Sequence, residues 1–232
     1  MQQGLQGLGQ GSVPRTTRIG VIFDCDGTLL DSMGMWHSLD DRLAARAGVT
    51  FSQADKDRLT ASTLPECGTF LHQRFGMGSS PEEVMGFIHD EMLAFYRHEA
   101  KPKPGAVALV NALAKAGVPM AVASSTPPEL LRTGLEVAGL ADAMEVILSV
   151  EDVGSSKREP VIYDKAREAL GTDRASTWGV EDALYAVCTL KDAGYRTLAV
   201  FDSMTAGSPE ALARVADVFR MSLAEVSPQD FR

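Results

Sequence analysis

In the stretch Arg18-Ile-Gly-Val-Ile-Phe-Asp24-Cys-Asp26-Gly-Thr-Leu-Leu-Asp-Ser32, the residues Ile19–Phe23 form an unbroken apolar or glycine run between polar flanks. Such a run reads as a strand buried on both faces, and that requires a parallel sheet with helices above and below it. In open α/β sheets ligands bind beyond the carboxyl ends of the strands, which is where Asp24 and Asp26 fall. Strand alternation sends both carboxylates the same way and turns Cys25 into the core. Two carboxylates so close repel, and a divalent cation relieves them; hard oxygen ligands beside a phosphate suit Mg²⁺. Gly27 lets the backbone turn and offers an N–H, and Thr28 adds a hydroxyl.

From Gly105 onward the sequence alternates between helical stripes and short apolar strands. Val107, Val110 and Leu113 precede a strand at Val118–Ala123, and Leu131, Leu135 and Ala138 precede one at Val146–Val150. Ile162, Ala166, Ala169 and Leu170 precede Thr177–Val180, and Leu184, Val187 and Cys188 precede Thr197–Phe201. Strands alternating with helices of this length predict βαβ units, hence an α/β, doubly wound parallel sheet with the first strand at its centre. Gly117, Gly139, Gly171 and Gly194 fall where helix C-caps belong. The apolar patch Val215–Phe219 reads as a short edge strand.

The segment from Met33 to Ala100 carries helical signals and no strand pattern. Asp31-Ser32 offers an N-cap for a stripe at Met35, Leu39 and Leu43, and Pro65–Phe75 is a weaker helix. Ser80-Pro81-Glu82-Glu83 reads as a capping box with proline at the first helical position, followed by Met85, Ile88, Met92 and Phe95. Closed by Lys101-Pro-Lys-Pro-Gly105, this block reads as an all-helical insert, with boundaries at 33–102 for the insert and at 18–32 and 103–232 for the α/β core. Residues 1–17, Gln/Gly-rich and without periodicity, read as a disordered tail.

Composition narrows the function. A net charge of −9 argues against nucleic acid or an anionic membrane as partner, so an anionic substrate must be held by local cations. Cys25, Cys67 and Cys188 are odd in number and widely spaced, which implies neither a disulfide framework nor a CxxC site and fits the cytoplasm. No run has the length of a membrane span.

Three more sites fall at predicted strand ends. Ser124-Ser125-Thr126, followed by Pro127-Pro128-Glu129 opening a helix, offers hydroxyls and N–H groups to a phosphate, or a simple N-cap. Lys157 precedes a helix beginning near Pro160; a loop lysine taken alone is a solvated charge. Glu181-Asp182 follows Trp178-Gly179-Val180. His72, His89 and His98 have no metal-ligand spacing, and Met33, Met35 and Trp36 read as packing beside the insert's entry.

The string DxDGT followed by Leu-Leu-Asp-Ser closely resembles the first motif of the haloacid dehalogenase (HAD) superfamily. The later strand-end sites resemble its other three motifs in order. The resemblance implies a Rossmann-like core with a helical cap. It also implies Asp24 as a nucleophile forming an aspartyl-phosphate, and Asp26 as general acid/base. Ser124 and Lys157 would complete the catalytic group, with Gly27, Thr28, Ser124, Ser125 and Lys157 around the phosphate. Asp24, Asp26, Glu181 and Asp182 would hold Mg²⁺. Two departures are visible: Arg158 replaces a proline common after the lysine, and Ala183 replaces the serine of a common Glu-Asp-Ser. The resemblance leads to Mg²⁺-dependent hydrolysis of a small phosphorylated substrate. A sugar-phosphate mutase of β-phosphoglucomutase type and a non-catalytic phosphate-binding regulator are the alternatives. The mutases carry a histidine where Trp36 stands, with His37 turned about 100° around the helix, and they use an arginine that Leu59–Pro65 lacks.

Overall fold

In a computed structural model the described residues are 18–62, 64–205 and 207–232, without the side chains of Thr60 and Ala61; the expected tail at 1–17 lies outside them. The elements run β1 (Gly20–Phe23), α1 (Met33–Ala47), α2 (Gln53–Ala61), α3 (Leu64–Phe75), α4 (Pro81–His98), α5 (Ala106–Lys115), β2 (Met120–Ser124) and α6 (Pro128–Val137). They continue with β3 (Val146–Ser149), α7 (Val150–Val153), α8 (Val161–Leu170), β4 (Thr177–Glu181), α9 (Leu184–Asp192), β5 (Arg196–Val200), α10 (Pro209–Val215) and β6 (Val218–Arg220).

The sheet is parallel throughout, in the order β3-β2-β1-β4-β5-β6. The protein is therefore an α/β, doubly wound parallel sheet, with β1 at the point where strand order reverses. Alternation along β1 explains its burial on both sides. Val21 and Phe23 pack with Leu109, Leu113 and Trp178 on one face, while Ile22 packs with Ala121, Ile162 and Tyr163 on the other. Each such side chain, wholly removed from water, contributes about 1.5–3 kcal/mol of transfer free energy. Cys25 is fully buried in the first of these clusters.

None of the described residues from 33 to 98 joins the sheet. Helix α4 aligns Val84, Ile88, Met92, Phe95 and Tyr96 on its buried side, and this side joins the core cluster of β1. The chain leaves β1 and returns to α5 by two strips lying side by side. Asp31 N–H donates to the Lys101 carbonyl and Lys103 N–H to the Leu29 carbonyl, both at 2.8 Å.

The structure corrects several local expectations. Helix α2 has no apolar stripe to announce it; its start is fixed by a reciprocal capping box between Ser52 and Asp55. Ser80 does cap α4 by accepting from Glu83 N–H, but the Glu83 carboxylate turns back to Ser79 N–H and Oγ. Val215 ends α10 rather than opening a strand, because Ser208 and Pro209 start a helix there; the edge strand is Val218–Arg220. No helix of the described residues is long and apolar enough to cross a membrane.

Candidate active site

Backbone pairing sets the site. Phe23 lies in register with Val180, and Asp24 N–H donates to the Val180 carbonyl at 2.9 Å. The two strands therefore end together, and the residues that follow them, Asp24 on one side and Glu181-Asp182 on the other, share one crevice. β2 ends beside them at Ser124. The four stretches that sequence places at separate strand ends thus line one cavity of about 330 Å³, together with Met33, Trp36, Tyr185 and Thr205.

Lys157 is buried between two carboxylates. Its ammonium donates to Asp24 Oδ1 and, at 2.8 Å, to Glu181 Oε1. Burial alone lowers a lysine, but the charges of Asp24 and Glu181 overcome it and hold the ammonium charged well above its usual range. Burial pushes the Asp24 carboxyl up, Lys157 pulls it back, and the Asp26 charge adds to the rise. Glu181 is raised to about 8 by burial, against the pull of Lys157 and with the push of Asp24 and Asp182. Asp182 is raised to about 7 by burial and by the Asp24 charge.

These three carboxylates bring ligand oxygens within 4.8 Å of one another. Ionised, they carry three negative charges against the single positive charge of Lys157, an imbalance that a divalent cation cancels. Glu181 Oε1 is saturated by Lys157 and by the Tyr163 hydroxyl at 2.7 Å, whereas the buried Glu181 Oε2 has no hydrogen-bond partner among the described residues. An orphaned carboxylate oxygen in a crowded all-oxygen cluster fits a hard divalent metal.

Asp26 stands outside that cluster, engaged elsewhere. Its Oδ1 accepts from Ser32 Oγ and from the Tyr96 hydroxyl, each at 2.5 Å, and its Oδ2 accepts from Thr126 Oγ1, with Ser124 Oγ at 3.5 Å. Ser32, expected as a helix cap, makes no side-chain cap because its hydroxyl serves Asp26 instead. Tyr96 is wholly buried, and burial together with the Asp26 charge keeps its phenol protonated and a donor. Asp26, Ser124, Ser125 and Lys157 all face the cavity.

The Gly27 N–H and the Thr28 hydroxyl, expected beside the phosphate, both face partners within the protein. The Gly27 N–H is already donated to the Leu30 carbonyl at 2.9 Å. The fully buried Thr28 hydroxyl points to Asp182 Oδ1 at 3.4 Å. Gly27 has another function: at φ +85°, a Cβ there would lie 2.2 Å from Asp182 Oδ2, so only glycine lets the first and fourth stretches approach so closely. Arg158 is exposed, its guanidinium 4.9 Å from the centre of the Tyr185 ring. His72 instead holds the Met77 carbonyl at 2.9 Å, and His89 pairs with Glu129 at 3.2 Å.

Tyr96, Tyr163 and Thr205 join the site without a sequence motif of their own, while Thr126 comes from the Ser124-Ser125-Thr126 stretch but serves Asp26. Tyr96 and Tyr163 each stand next to a residue of an apolar stripe, Phe95 and Ile162, and are buried with it, and Thr205 lies in a segment with no recognisable pattern. The available signal is the hydroxyl itself: a tyrosine on a buried stripe needs a polar partner.

The haloacid dehalogenase-like hydrolase family model matches residues 21–200. The chain belongs to that family. It is 25% identical over 221 residues to hexitol phosphatase B of Escherichia coli K12, covering 94% of this chain and 98% of that protein. It is 32% identical over 183 residues to hexitol phosphatase A of the same organism, covering 78% of this chain and 82% of that protein. Its fold is similar to that of CbbY from Rhodobacter sphaeroides, solved in complex with phosphate, with a TM-score of 0.71 at 21% identity, covering 90% of this chain and 96% of that one.

Proposed function

We propose that this HAD-like phosphatase hydrolyses the phosphate monoester of a small metabolite, with Asp24 as nucleophile, Mg²⁺ as metal and water as the final acceptor. The observation that carries the reading is the contact of Asp24 with the buried Lys157 in the lining of a cavity, beside the orphaned oxygen of Glu181.

The phosphoryl group enters with phosphorus facing Asp24 and its oxygens toward Lys157, Ser124 and Ser125. An Asp24 oxygen forms a bond to phosphorus as the bond to the leaving oxygen breaks, giving an aspartyl-phosphate. Lys157 offsets charge on the transferred group. Asp26 gives a proton to the leaving alkoxide, then takes one from the water that attacks the aspartyl-phosphate and releases inorganic phosphate. Ser32, Tyr96 and Thr126 hold the Asp26 carboxylate in place for both transfers. Asp24, Glu181 and Asp182 would hold Mg²⁺, which supplies charge neutralisation and orientation of the phosphate. Residues 33–102 act as the cap that shields the site from bulk water. A cytoplasmic setting agrees with the free thiols Cys25, Cys67 and Cys188.

Water rather than a second sugar as acceptor is supported by the wall facing Asp24. Among the described residues lining the cavity the one cation is Lys157, already engaged by two carboxylates, while α1 contributes Met33 and Trp36. His37 turns away, its Nε2 2.7 Å from the Met204 carbonyl. A mutase must hold a second phosphate, and this wall gives it no counter-charge.

A screen of phosphorylated sugars, polyols and nucleotides, run with Mg²⁺ and with chelator, tests the reading. Phosphate release that requires Mg²⁺ and vanishes in a folded Asp24→Asn variant is expected. Full release in chelator, or isomerised sugar phosphate in place of inorganic phosphate, contradicts it.

A further inference from the structure

Asp182 is followed by Ala183, so the next residue has no hydroxyl with which to fix the carboxylate. A different part of the chain supplies one. Thr205 Oγ1 donates to Asp182 Oδ2 at 2.5 Å, whereas Thr28 Oγ1 stands at 3.4 Å from Oδ1, too long for a comparable bond. Oδ2 thus accepts from Thr205 and also lies against the Cβ-free surface of Gly27.

Thr205 belongs to the turn after β5, and that turn is fastened from three directions. Asp202, 5% exposed, accepts from Met204 N–H at 2.7 Å and from Lys103 Nζ, on the strip returning from α4, at 2.5 Å. Thr205 N–H donates to the Asp202 carbonyl at 3.3 Å. The Met204 carbonyl accepts from His37 Nε2 of α1 at 2.7 Å. A hydroxyl on a free loop would lose its bond to water; this one is held where Asp182 needs it.

We propose that Thr205 is the positioning residue for Asp182, fixing the carboxylate orientation that completes the acidic cluster and so setting the affinity for Mg²⁺. The turn after β5 takes the part that a hydroxyl at position 183 would otherwise play. Because the turn also touches the Lys103 strip and α1, the Asp182 carboxylate is tied to the helical segment as well as to the sheet. This inference rests on the metal-dependent reading above.

Calorimetric titration of metal-free protein with MgCl₂ tests it on wild type, Thr205→Val, Thr205→Ala and Thr205→Ser, each first checked for folding by circular dichroism. Loss of a hydrogen bond to a ligating carboxylate weakens metal binding by about 10–100-fold, so the Val and Ala variants should show a Kd raised at least about tenfold, and Ser a Kd within about threefold of wild type. The Ala variant, which adds no bulk, covers the case in which Val fails to fold. Wild-type Kd values in Val and Ala, or a Ser variant as weak as Val, overturn the inference while leaving the Mg²⁺ reading intact. A wild type that takes up no Mg²⁺ overturns both.

Discussion

The hydroxyl of Tyr96, in the last turn of α4, lies 2.5 Å from Oδ1 of Asp26, two residues beyond the nucleophile candidate. A residue of the helical segment thus touches the group proposed to move protons. Removing the donor with Tyr96→Phe keeps the ring packed. A hydrogen bond to a charged group is worth about 1.5 kcal/mol at the low end, a factor of about ten. Turnover should fall by about that factor on a sugar phosphate, whose leaving alkoxide needs a proton, and less on a nitrophenyl phosphate, which leaves unassisted. Steady-state rates on both substrates check this, and equal rates for variant and wild type would remove Tyr96 from the account.

At Gly27 the expectation is steric. With φ at +85° and Asp182 Oδ2 only 2.2 Å from where a Cβ would stand, Gly27→Ala must strain its backbone and push Asp182 aside. The left-handed conformation alone costs about 1–2 kcal/mol for a residue with a Cβ. Urea unfolding should show at least that loss, together with weaker Mg²⁺ binding; wild-type stability would mean that the turn relaxes freely.

Much of the fold is legible in the sequence because it depends on neighbours along the chain. The double-sided burial of Ile19–Phe23, the strand–helix alternation after Gly105 and the carboxyl end of each strand to within one residue follow from local pattern. What escapes depends on contacts across the fold. Tyr96 is seventy residues from Asp26 and Thr205 twenty-three from Asp182, separations over which no period carries information. Helix α2 escapes because Gln53–Ala61 has no apolar stripe, so its capping box is the sole signal. Gly27 and Thr28 read as phosphate contacts because a loop N–H and hydroxyl look free in sequence. Only the folded turn uses them internally, on Leu30 and Asp182.

Lys157 is the counter-charge to a buried acidic cluster. Lys157→Met leaves Asp24 and Glu181 unpaired, and removing one partner of a buried pair destabilises by about 3–5 kcal/mol. Urea unfolding without metal should show a loss of this order. Added Mg²⁺ should recover part of the stability and none of the hydrolysis. Unchanged stability without metal would show that the lysine offsets little charge.

Asp217 links α9 to β5 through Lys191 Nζ and through Thr197 N–H at 2.9 Å. Burial pushes its carboxyl up, but these donors outweigh it and hold it below the usual range. A carboxyl depressed in the folded state stabilises the fold above its unfolded pKa, and that stability is lost as pH falls through the folded value. Wild type should therefore exceed Asp217→Asn in stability at neutral pH, with the gap closing under acid. A gap independent of pH would assign the effect to packing.

In the proposed reaction Asp24 carries the phosphoryl group. Rapid-quench turnover of a substrate labelled in its phosphate, followed by peptide mapping, tests it most directly. Label is expected on the peptide containing Asp24, appearing and decaying at least as fast as turnover. An active enzyme that never labels that peptide contradicts it.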